Sequence, residues 1–220
     1  MKTIVLIPAR GGSKGILRKN LTILAGKPLI YYAIKASQES LADEVWVSTD
    51  DKEIKDVSLV FGAEVLDRPN ELAGDKSTTE EVVLHFIQNV ECDIIVLIQC
   101  TSPLVRTEDI NNGIRMVSSK TYDSVFSAVS LAKNDILLWS EHNLHFTPMN
   151  YYILDRGRRQ EREDNLYIET GAFYVTSRDG FISSKCRLNG RIGVVETPFW
   201  NMFEVDGIED LKNIEKLMRD

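Results

Sequence analysis

At 220 residues with 43% apolar side chains, the chain is long enough for an ordinary hydrophobic core, and its net charge of −7 argues against nucleic acid or an anionic membrane as a partner. No run of about 18 apolar residues is present, which excludes a membrane-spanning helix. "MKTIVLIPAR" has neither the length nor the cleavage site of a signal peptide. Three cysteines (Cys92, Cys100, Cys186) without a CxxC pair point to a reducing cytoplasm, not to a disulfide framework or a zinc site.

In chain order, "TIVLI" (Thr3–Ile7) is a continuous apolar run, as expected of a strand covered on both faces. "PLIYYAIKAS" reads as a helix with Pro28 in its first turn. "EVWVS" (Glu44–Ser48) is the next strand, and "DKEIKDVSLVF" a helical stripe ending at Gly62. "AEVL" is a short strand. "TTEEVVLHFIQNV" opens with Thr78 and Glu81 at capping-box spacing. His85, within that helix, is expected to be structural. "DIIVLI" (Asp93–Ile98) is a central strand, "TEDINNGIRMVSS" a helix with acids in its first turn, and "DSVFSAV" a strand.

The rhythm then breaks over about 130–167, where aromatics, a proline and "DRGRRQERED" form an excursion that has room for a hairpin. It resumes with the strands "GAFYVT" (Gly171–Thr176) and "RIGVVE" (Arg191–Glu196). An amphipathic helix, "DGIEDLKNIEKLM", follows. The pattern predicts one α/β domain over 1–220: a Rossmann-like, mostly parallel sheet with helices on both faces, plus the excursion.

Ligands of open α/β sheets bind beyond the carboxyl ends of the strands. Three polar loops leave those ends: Pro8–Asn20, "STDD" (Ser48–Asp51) and "QCTSPLVR" (Gln99–Arg106). The first, "PARGGSKGILRKN", carries three glycines, four basic residues and no acid. It is neither a Walker A loop nor a G-x-G-x-x-G turn into a helix. Gly11 and Gly12 suit a nest of N–H groups around an anion, Arg10 a bidentate phosphate clamp, and Lys19 a point charge at the far end. The acidic pair Asp50-Asp51 imitates the ribose-binding acid of dinucleotide folds, which leaves a dehydrogenase as an alternative. Asp206 and Glu209 have the spacing of a helix N-cap and its partner, so a capping role for Asp206 is also open.

Together, "IPARGGSKGILRKNL", "AGKPLIYYAI", "VSTDD", "RPNELAGD", "IQCTSPL" and "ETGAFYV" resemble the CMP-sialic acid synthetases, the acylneuraminate cytidylyltransferases, over nearly the whole chain. That resemblance implies transfer of CMP from CTP to the anomeric hydroxyl of a sialic-acid-like nonulosonic acid, with pyrophosphate released and Mg²⁺ used. Legionaminic or pseudaminic acid is the alternative acceptor. It implies catalytic roles for Arg10, Lys19 and Asp206. Nucleotide binding would fall to Ala9, Arg10, Gly11, Gly12, Ser13, Lys14, Lys19, Asn20, Arg68, Ser77 and Thr79. The sugar would be held by Gln99, Thr101, Ser102, Arg159, Gln160, Glu169 and Thr170, and the metal by Asp206 with Glu204. The excursion matches the arm that pairs the family's homodimer, so Arg159 or Arg162 would reach a neighbour's site. Cys100, Ile168 and Glu204 depart from the family pattern, which commonly has Pro, Arg and Asp there.

Overall fold

The computed structural model describes residues 1–13, 15–143, 145–155, 158 and 166–219. The elements run β1 (Thr3–Pro8), β2 (Ile23–Leu24), β3 (Lys27–Pro28), α1 (Leu29–Gln38), β4 (Glu44–Thr49), α2 (Lys52–Val60), β5 (Glu64–Asp67), α3 (Thr79–Asn89) and β6 (Ile94–Ile98). They continue as α4 (Thr107–Ser118), β7 (Ser124–Ser130), β8 (Trp139–His142), β9 (His145–Pro148), β10 (Tyr167–Ser177), α5 (Arg178–Ser184), β11 (Ile192–Glu196) and α6 (Ile208–Leu217).

Seven strands form one sheet in the order β11-β7-β10-β6-β1-β4-β5. Helical crossovers make β1, β4, β5 and β6 parallel, because a parallel neighbour is reached only by a long return. β10 runs antiparallel to both β6 and β7. Its predicted span, Gly171–Thr176, was too short: pairing with β7 begins at Tyr167. The excursion before it contains the β8–β9 hairpin.

Alternation along the strands divides the core between the two faces of the sheet. Val5, Ile7, Val47, Val96, Ile98 and Phe173 pack with Ile30, Ile34, Ile54, Ile110 and Ile114 of α1, α2 and α4. Ile4, Leu6, Ile95, Leu97 and Tyr174 pack with Val83, Phe86 and Ile87 of α3 and Phe181 of α5. Phe86, Phe173 and Phe181 are fully buried, each worth about 1.5–3 kcal/mol relative to exposure. A third cluster of Leu24, Leu29, Val205 and Ile214 ties the C-terminal segment to β2 and the start of α1.

β10 is irregular where it reaches the carboxyl edge. Glu169 lies opposite Ala128 and Tyr174 opposite Phe126, so Thr170–Phe173 face a single β7 residue, Ser127. Ser127 holds the bulge together. Its Oγ donates to the Phe173 carbonyl at 3.1 Å and accepts from the Phe173 N–H at 3.1 Å and from the Thr170 hydroxyl at 2.7 Å. Gly171 sits inside at φ +72°, where a Cβ would lie 2.7 Å from Glu204 Oε1. Only glycine meets both demands without strain.

Candidate active site

The carboxyl edge carries two adjoining cavities. The smaller, about 260 Å³, is lined by Arg10, Ser13, Lys19, Asn20, Arg68, Ser77, Thr79, Gln99 and Thr101 among others. Nine residues selected from sequence thus share one wall. The larger, about 920 Å³, is lined by Glu169, Thr170, Glu204 and Asp206, and by residues of α6. Lys19 Nζ lies 3.0 Å from Asp206 Oδ1 and joins the two. Lys14, Arg159, Gln160 and Arg162 lie outside the described residues.

In the smaller cavity, Arg10 Nη1 donates to the Gly74 carbonyl and to Asp75 Oδ1, both at 3.2 Å. This pins one end of the guanidinium. Asn20 Nδ2 donates to the Arg10 carbonyl at 3.0 Å, closing the loop at its base. The expected nest does not form: neither Gly11 nor Gly12 takes a positive φ, and the Gly11 N–H donates to Asp50 Oδ1 at 3.0 Å. Ala9 is buried, with its N–H on the Ser48 carbonyl at 2.9 Å. Arg68 is buried, with Nε 3.1 Å from Ser48 Oγ and Nη2 2.6 Å from the Ser48 carbonyl. Burial pushes its guanidinium down to about 10, with Asp50 opposing; Arg68 remains a cation at neutral pH. Thr79 opens α3 behind the Thr78–Glu81 capping box, which is present as expected. The Ser77 hydroxyl donates to the Glu71 carbonyl at 2.9 Å. Burial pushes the Cys100 thiol up to about 12, so it stays protonated and inert.

The Gln99 N–H donates to the Ala172 carbonyl of the bulge at 3.0 Å, so the bulge sets the position of the Gln99 loop. The Val205 N–H donates to the Thr101 carbonyl at 2.7 Å, and Val205 is fully buried. Glu204 and Asp206 flank that anchor. Ser102 is buried and its Oγ lies 3.4 Å from Glu204 Oε1. Burial, then the Asp206 charge, hold Glu204 above the ordinary carboxylate range, opposed by Ser102 and Lys19. Two carboxylates held close at such a cost suit a hard divalent cation that takes its other ligands from phosphate and water. Among the described residues no group of three or more His, Cys, Asp or Glu is placed to hold a metal ion by itself.

The capping expectation for Asp206 fails. α6 begins at Ile208, and Asp210, not Glu209, accepts from the Asp206 and Gly207 N–H groups at 3.0 and 2.7 Å. The Asp206 carboxylate is left for Lys19. Thr170 lines the larger cavity, with its hydroxyl donating to Ser127 Oγ at 2.7 Å. The acidic pair that imitated a ribose site is occupied as well. Asp51 caps α2, accepting from the Glu53 and Ile54 N–H groups, while Asp50 holds Gly11.

A family model described as cytidylyltransferase matches residues 4–165. The chain belongs to the cytidylyltransferase family. It is 38% identical over 198 residues to N-acylneuraminate cytidylyltransferase B of Danio rerio, covering 88% of this chain and 46% of the relative. The chain thus spans about half the length of such curated relatives. It is 29% identical over 224 residues to pseudaminic acid cytidylyltransferase of Campylobacter jejuni, covering 96% of this chain and 94% of that one. A solved CMP:2-keto-3-deoxy-manno-octonic acid synthetase complexed with CTP matches with TM-score 0.72 at 22% identity, over 100% of this chain and 99% of that one. That likeness carries the fold.

Two residues that shape the site in this cytidylyltransferase, Asp75 and Tyr174, were not singled out in the sequence reading, whereas Ser48 and Asp50 of the "STDD" loop were, with partners other than the ones found. Asp50 and Asp75 act on the basic loop from 39 and 65 positions away, and no local spacing announces such partners. Asp75 nevertheless lies inside the motif "RPNELAGD", which marks the segment as functional.

Proposed function

We propose that the chain is a CMP-nonulosonic acid synthetase: it transfers CMP from CTP to the anomeric hydroxyl of a sialic-acid-like sugar and releases pyrophosphate. The observation that carries this reading is the pair of adjoining cavities. One is walled by cations and hydroxyls, the other by acids and apolar side chains, and Lys19 and Asp206 stand at the junction. The lining assigns the CTP phosphates to the first and the acceptor to the second.

The anomeric oxygen attacks the α-phosphorus, and the bond from that phosphorus to the β-phosphate oxygen breaks. Such transfers are carried by positioning and charge neutralisation. Arg10, pinned at one end, offers its remaining N–H groups to the phosphates. Lys19 brings a charge to the leaving pyrophosphate. Asn20 keeps the loop closed under both. Arg68, Ser77 and Thr79 face the nucleoside and Glu169 the sugar; Gln99 and Thr101 line the smaller cavity but are tied by backbone hydrogen bonds to Ala172 and Val205 of the larger one, and so stand where the two substrates meet. Asp206, with Glu204, would hold Mg²⁺, which supplies further neutralisation of phosphate charge and acidifies a nearby hydroxyl.

The reading includes one domain over 1–220, a cytoplasmic setting and a homodimer. Trp139, Phe146, Met149, Tyr152, Ile153 and Leu154 expose apolar surface on and beside the β8–β9 hairpin, which supports pairing with a second copy. Sedimentation as a monomer at micromolar concentration would remove the dimer. The match to the pseudaminic acid enzyme over nearly the full length of both chains favours a second acceptor, pseudaminic acid, to be tested beside sialic and legionaminic acids. The test supplies CTP and a panel of nonulosonic acids and follows pyrophosphate with and without Mg²⁺. Release with one sugar is expected. CTP binding without release from any sugar would identify a nucleotide-binding module.

A further inference from the structure

We propose that Tyr174 is a positioning residue for the acceptor: its buried hydroxyl anchors the Glu169 carboxylate, which receives hydroxyl or amide N–H donors of the sugar from the wall of the larger cavity. The inference rests on the cytidylyltransferase reading and names how that site selects its acceptor.

In a regular strand, residues five apart stand about 16 Å from each other and point to opposite faces. Glu169 and Tyr174 are five apart in β10, yet the Tyr174 hydroxyl donates to Glu169 Oε1. The bulge makes this possible by looping out the residues between them. Tyr174 is only 6% exposed, and Arg187 lies over its ring at 4.7 Å while pairing with Glu80 of α3 at 2.9 Å. The anchor is therefore fixed by the helix layer and not by the loops of the site. Burial, then Glu169 itself, hold the phenol above the ordinary tyrosine range, so the hydroxyl keeps its proton and donates.

Glu169 is exposed and lines the larger cavity. With Oε1 held by Tyr174, Oε2 is presented in a fixed direction. An ionised carboxylate only accepts, so it favours the hydroxyl and acylamino groups of a sugar and repels the sugar's own carboxylate. The acceptor is therefore oriented with its acid end away from Glu169.

The test compares Tyr174→Phe, Glu169→Ala and the double variant, with KM for sugar, KM for CTP, kcat and Tm measured separately. Tyr174→Phe keeps the ring and its Arg187 contact. It should raise the sugar KM about tenfold and leave the CTP KM within about twofold. In the Glu169→Ala background it should add nothing. Glu169→Gln, which retains an acceptor oxygen for Tyr174, should recover part of the loss seen with Glu169→Ala. An unchanged sugar KM, a parallel rise in both KM values with a fall in Tm, or full additivity of the two variants would overturn the proposal. A wild-type protein that releases no pyrophosphate with any sugar overturns the cytidylyltransferase reading itself, and this one with it.

Discussion

The two cavities are built by different means. The smaller cavity sits where parallel strands end. Its side chains come from the loops after β1, β4, β5 and β6, and Arg10, Lys19, Asn20, Arg68 and Ser77 are held there by hydrogen bonds. The larger cavity is built from a bulged antiparallel strand and from a C-terminal segment held by Val205. The first kind of wall follows from topology, since every parallel strand must deliver a loop to the same edge. The second depends on an irregular backbone and on contacts between residues distant in sequence. A wall of the first kind is general to the architecture, whereas one of the second kind is particular to the chain.

The largest expected effect tests the division itself. Lys19→Ala should lower kcat/KM for CTP by about 10²–10³ and leave the sugar KM within about twofold; equal losses for both substrates would mean that the cavities are not separate in function. Asp206→Asn should cost about a hundredfold in turnover and weaken the dependence on divalent metal, with Tm close to wild type because Asp210 caps α6. Asp210→Ala should instead lower stability by about 1 kcal/mol in chemical denaturation. An unstable Asp206→Asn protein would restore the capping role.

A smaller effect reads the electrostatics of the acceptor side. In the folded protein Glu204 binds its proton more tightly than at its ordinary value of 4.5. As pH rises above that value, the folded state retains a proton that the unfolded chain has released, so stability falls through the window. Glu204→Gln should lose turnover yet melt higher than wild type, by about 1–3 °C at neutral pH, with a gap that widens as pH rises. A constant gap would show that Glu204 is not the titrating group. The smallest effect belongs to the nucleotide side: Cys100→Ala should keep turnover within about threefold, because a protonated buried thiol takes no part.

The sequence was most informative where local physics decides. Apolar runs located β1, β4 and β6, and the Thr78–Glu81 spacing located the start of α3. Basic residues bunched at the end of β1 pointed to the loop whose Arg10 and Lys19 line the smaller cavity. Direction is not written in a hydrophobic run, so the antiparallel sense of β10 had to come from the structure. So did its bulge, which is specified by Ser127 some 40 positions away. The start of α6 was misplaced because Asp206 and Asp210 both lie near it, and only the backbone distances decide which carboxylate caps. The nest failed because a carboxylate from the β4 loop reached Gly11 first.

The bulge also bears on how the larger cavity can change over time. Gly171 admits no side chain beside Glu204, Thr170 is committed to Ser127, and Phe173 is fully buried. A random library across 167–174 should therefore return variation chiefly at the exposed Tyr167. Lineages that take up new sugars would be expected to diverge on the opposite wall, along the α6 residues Asn213 and Lys216, leaving the bulged strand as an inherited constant.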